Sequence, residues 1–81
     1  MSLQNEMRKT RKVNLEFVAK RLRGEIEALA RVICINLDCS LQKPEGLPIA
    51  EVDSQFDELK SKWAELNTTL AEIARLEEEL S

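Results

Sequence analysis

Along the second half of the chain, Ile49, Val52, Phe56, Leu59, Trp63, Leu66, Leu70, Ile73 and Leu80 fall at alternating spacings of three and four, and only Glu77 interrupts the series. This is a heptad pattern of 3.5 residues per turn, and it predicts one long helix over residues 48–80. Pro48 suits its first turn, where a missing amide proton costs nothing, and Glu51 and Asp53 suit the positive end of the helix dipole. Upstream, Leu15, Val18, Leu22, Ile26, Leu29, Ile33 and Leu37 recur at the period of an ordinary straight helix. They predict a first helix from about residue 14 to residue 40. Residues 1–13 either extend it or form a basic arm, with Thr10 and Asn14 both eligible as caps.

Between the two periodic segments lies the only cluster of helix breakers, Gln42 to Leu47, so residues 41–47 are the expected connection. Pro44 pushes Lys43 towards extended backbone, and Gly46 tolerates unusual dihedrals. Two long helices with a short connection lie antiparallel, so residues 1–81 read as a single all-α, coiled-coil-like helical hairpin. The expected hairpin seam comprises Leu15, Leu22, Ile26, Leu29, Ile33 and Leu37 against Ile49, Val52, Phe56, Leu59, Trp63, Leu66, Leu70 and Ile73. Residues facing across it should have numbers summing to about 89, given a connection centred near Pro44 and Glu45.

The first helix carries more apolar surface than one neighbour can cover. Phe17, Gly24, Ala28, Val32, Ile35 and Cys39 form a second sector, turned roughly 130° from the first at 100° per residue. A glycine inside a helix costs about 1 kcal/mol relative to alanine, and close approach of another backbone over Gly24 and Ala28 would account for it. The six residues are therefore the expected oligomer interface. The expected assembly is a homodimer or higher bundle, most simply a four-helix bundle, with another helical protein as the alternative occupant.

Composition narrows the chemistry. The chain has 81 residues, 43% apolar and 33% charged, with no His and no Tyr. Without His, the commonest general acid/base and metal ligand is missing, so no catalytic residue, cofactor site or metal site is assigned and no enzymatic activity is expected. Cys34 and Cys39 are five residues apart; on a continuous helix their thiols diverge by about 140°, too far round to share a metal or a disulfide. Cys39 reads as apolar filling and Cys34 as an inert thiol on the polar side. Glu77, Glu78 and Glu79 read as a solvated helix end.

Charge is uneven. Residues 1–23 hold seven Lys/Arg against Glu6 and Glu16, whereas residues 48–81 hold three against nine acids. The basic start, with Arg8, Lys9, Arg11 and Lys12, is expected beside the acidic end, each exposed pair contributing about 0 to 1 kcal/mol. The same four cations, with Lys20, Arg21 and Arg23, are the candidate contact for a nucleic acid, the leading alternative function. An acidic chain with a net charge of -3 and no recognition motif places that alternative second. The longest uncharged runs fall far short of a membrane span, and the N-terminus lacks a secretory leader pattern, so a cytoplasmic setting without membrane contact is expected. The function expected is a non-catalytic interaction or assembly module, with a small adaptor or chaperone subunit of a heteromeric complex as a further alternative.

Overall fold

A computed structural model describes residues 3–80. Two helices, α1 (Leu3–Asn36) and α2 (Ile49–Leu80), fold back on each other through a connection that contains a single 3-10 turn at Pro44–Gly46. The result is an antiparallel all-α hairpin, a rod of 63 × 15 × 15 Å.

Helix α1 is longer at its start and shorter at its end than the apolar period predicts. It runs through Thr10 and Asn14, and neither of them caps it. The Thr10 hydroxyl donates to the Glu6 carbonyl at 3.1 Å, the back-bonding a threonine adopts inside a helix. The basic segment is thus helical from Leu3 onward; Met1 and Ser2 lie outside the described residues. At the other end the helix stops at Asn36, four residues before Ser40. Asp38 takes over there: its Oδ1 accepts from the Ser40 backbone N–H at 2.9 Å and from the Ser40 hydroxyl at 2.6 Å, a local turn that competes with helix continuation. The Gln42 side-chain amide then donates to the Asn36 carbonyl, one of the last acceptors that the helix leaves open.

Lys43 is extended, with φ -71° and ψ 150°, as a residue before proline must be. The 3-10 turn closes through Leu47 N–H donating to the Pro44 carbonyl at 3.2 Å, and Gly46 needs no positive φ. Pro48 stands just before α2, and its carbonyl accepts the first helical bond, from Val52 N–H at 2.9 Å.

Both helices present a heptad seam. On α1 the seam runs through Lys12, Leu15, Ala19, Leu22, Ile26, Leu29, Ile33 and Asn36, and on α2 through Val52, Gln55, Leu59, Lys62, Leu66, Thr69, Ile73, Leu76 and Leu80, each of them enclosed or half-enclosed. Four of the expected seam residues are corrected. Ile49 (61% exposed), Phe56 (49%) and Trp63 (61%) stand outside the seam on one flank of α2, and Leu37, beyond the end of α1, is also exposed. The reason is a rotation of α2 by one seam position. The row of Val52, Leu59, Leu66, Ile73 and Leu80 is shared by both arrangements, but its second row is Gln55, Lys62, Thr69 and Leu76. Polar groups enter this second row because each finds a partner: Gln55 Oε1 accepts from Asn36 Nδ2 at 3.0 Å, Lys62 Nζ donates to Glu25 at 2.8 Å, and the Thr69 hydroxyl donates to the Glu65 carbonyl at 2.8 Å. Among the described residues no buried side-chain nitrogen or oxygen is left without a hydrogen bond.

Candidate interaction surface

The seam divides the rod into two long faces of different character. On one face, α2 carries Glu51, Glu58, Glu65, Glu72 and Glu79 at intervals of seven, an acidic ladder along the whole helix. Cations from α1 engage its lower rungs, with Arg11 at 3.3 Å from Glu72 and Arg8 at 3.2 Å from Glu79, while Lys62 crosses to Glu25. Arg75, on α2 itself, also binds Glu72 and Glu79. The ladder follows from reading every seventh residue for charge rather than for apolarity.

These pairs set the local protonation. Glu25 is held below its ordinary carboxyl range, first by the hydrogen bond from Lys62, against a smaller opposing effect of desolvation. Lys62 is raised by the same hydrogen bond. Glu72 is lowered chiefly by Arg75, with Arg11 adding to it. A lowered carboxyl gives stability that is present above its ordinary value of 4.5 and is lost as pH falls through the folded value. A raised lysine gives stability present below 10.5 and lost as pH climbs through the folded value. The Glu25–Lys62 pair therefore stabilises the hairpin between these limits. In Lys62→Gln the thermal midpoint is expected to depend less steeply on pH below about 4.5, with a lower plateau at neutrality. Circular dichroism melts across a pH series check this, and parallel pH profiles for the two proteins would count against the pair.

The other face is apolar. Phe56, Trp63 and Leu70 follow one another at seven-residue steps along α2, with Ile49 before them. Near the connection they border a groove with Ile26, Ala30 and Leu59; towards the open end the groove continues between Leu70, Ile73 and Glu77 on α2 and Val13, Phe17, Ala19, Lys20 and Arg23 on α1. Lys60 lies 5.4 Å from the centroid of the Phe56 ring and pairs with Asp57 at 3.2 Å. On this face Lys12 pairs across the helices with Glu77 at 3.5 Å.

The residues expected to form an oligomer interface also lie outside the seam. Phe17, Gly24, Ala28, Val32, Ile35 and Cys39 are all exposed: Phe17 at the rim of that groove, Gly24, Ala28, Val32 and Ile35 on the outer side of α1, and Cys39 in the turn beyond it. An added Cβ at Gly24 would meet nothing within 4 Å, so no close approach inside the chain accounts for that glycine. Of the basic residues put forward for nucleic acid, Arg8 and Arg11 lie beside carboxylates as above, Lys12 beside both Glu16 and Glu77, and Arg21 beside Glu25. Cys34 and Cys39 are free and exposed. Among the described residues there is no group of three or more His, Cys, Asp or Glu side chains placed to hold a metal ion, and no helix is long and apolar enough to cross a membrane.

No protein-family model, no curated protein and no solved structure matches this chain.

Proposed function

We propose that this protein is a non-catalytic helical interaction module that assembles with copies of itself into a bundle. One observation carries the reading: all three aromatic residues of the chain lie largely outside its own seam, with Phe17 67%, Phe56 49% and Trp63 61% exposed. Aromatic side chains are the largest sources of burial energy a helix can offer, and contiguous exposed apolar stripes mark surfaces that associate. A two-helix rod has no third element to cover them. The outer side of α1, with Val32 and Ile35, is a second surface on which a further copy or another helical protein can sit.

The ion pairs at the open end favour this reading over nucleic-acid binding, because phosphates would have to displace carboxylates already held by Arg8, Arg11 and Lys12. A cytoplasmic setting goes with the proposal, since both thiols are unpaired and exposed. Sedimentation equilibrium over micromolar concentrations tests it: the weight-average mass is expected to rise above 9.3 kDa towards a multiple of that value. A species that stays monomeric while retaining full helicity would overturn the proposal.

A further inference from the structure

We propose that the groove beside Trp63 is covered by a second copy of the chain turned end for end, with the twofold axis passing close to Trp63. The inference rests on the self-assembly reading and specifies the face, the partner and its direction.

The face is selected by charge. A copy laid on the opposite side would set one glutamate ladder against another, and like charges brought together there are repulsive. The groove side offers the apolar row instead. Its extent is also adequate: a face of the 63 × 15 Å rod covers on the order of 900 Å², against the roughly 800 Å² per partner that a stable interface buries.

Direction is fixed by two independent features. First, the apolar row is self-complementary about Trp63, because an antiparallel partner helix centred there brings Phe56 opposite the partner's Leu70 and Trp63 against its own copy. Second, the same axis resolves unpaired charges on α1. The inter-helix partners Glu25–Lys62, directly beside this level, and Lys12–Glu77 show that Trp63 on α2 stands level with about residues 24 to 26 on α1. Turning a copy about that level places the partner's Glu27 beside Lys20 and Arg23. Within one chain none of these three has an ion pair or hydrogen bond among the described residues.

The other twofold arrangement, with both connections at the same end, is disfavoured electrostatically. Residues 23–64, the half nearer the connection, carry five Lys/Arg against eight Asp/Glu, whereas the described residues of the open half carry seven of each. Stacking like halves would superpose two net charges of -3; the reversed copy sets each against a neutral half.

Charge reversal in the full-length chain tests the arrangement, read by sedimentation velocity over a dilution series. Lys20→Glu and Glu27→Lys are each expected to weaken the dimer roughly tenfold, and the double variant K20E/E27K to recover part of the lost affinity, Arg23 still facing the introduced lysine. Trp63 fluorescence should shift to the blue as wild-type dimers form, because its indole leaves water. Helicity of each variant at high dilution confirms that the hairpin itself persists. A dimer indifferent to both single changes, a double variant no better than the singles, an unmoved Trp63 emission, or a trimer would overturn the end-for-end geometry while leaving self-assembly in place. A wild-type protein that never associates would overturn the underlying reading itself.

Discussion

Leu22→Ala is expected to destabilise the hairpin by about 2 to 5 kcal/mol, enough to unfold much of the population at ambient temperature. The size of the effect follows from how little else is enclosed. Leu22 has no exposed surface, and among the described residues it shares the apolar interior with only Ala19, Ile33, Ile73 and Leu76. Removing three carbons there forfeits their transfer energy and leaves a void that two straight helices cannot collapse around without losing their neighbouring contacts. Urea unfolding followed by circular dichroism at high dilution reads the change, and an unshifted midpoint would show that Leu22 is not enclosed.

The second large effect distinguishes the two possible rotations of α2. Leu76→Ala is expected to cost about 2 to 5 kcal/mol, since Leu76 is 2% exposed within the seam. Trp63→Ala, measured at the same high dilution, should cost well under half as much despite removing a far larger side chain, because most of the indole is already in water. If alanine at 63 proved the more damaging substitution in the monomer, the heptad positions would have to be reassigned, and α2 would pack through its aromatic row.

That contrast shows how far the residue pattern reaches. Helix content, the antiparallel arrangement and the breaker-rich connection follow from periodicity and from Pro44 and Pro48, because these are properties of single segments. The pairing of basic start with acidic end follows from charge alone: Lys12 meets Glu77 as a sum of 89 requires. The rotation of α2 does not follow, because three adjacent rows compete for two places. Ranking the rows by apolarity selects Ile49, Phe56 and Trp63 over Gln55, Lys62 and Thr69, but it ignores cross-helix hydrogen bonding, which gives Gln55 and Lys62 partners in Asn36 and Glu25. Ala19 and Leu76 escape notice for related reasons, one being small and the other lying one row beyond the most apolar series. The early end of α1 rests on Asp38 and Ser40, a two-residue device that a helical period passes over.

The enclosed residues are also unevenly distributed. Among the described residues, Ala19, Leu22, Thr69, Ile73 and Leu76 cluster in the half of the rod away from the connection, and only Ile33 lies near the connection. In a rod one layer thick, each turn is secured by whatever lies directly across from it, so cohesion cannot be borrowed from a distant centre. The hairpin is consequently gripped where Ala19 and Leu22 face Thr69 to Leu76, and it is slack at its bend. Thermal breathing will begin where the polypeptide is continuous, and the turns around Leu22 and Ile73 will be the last to part.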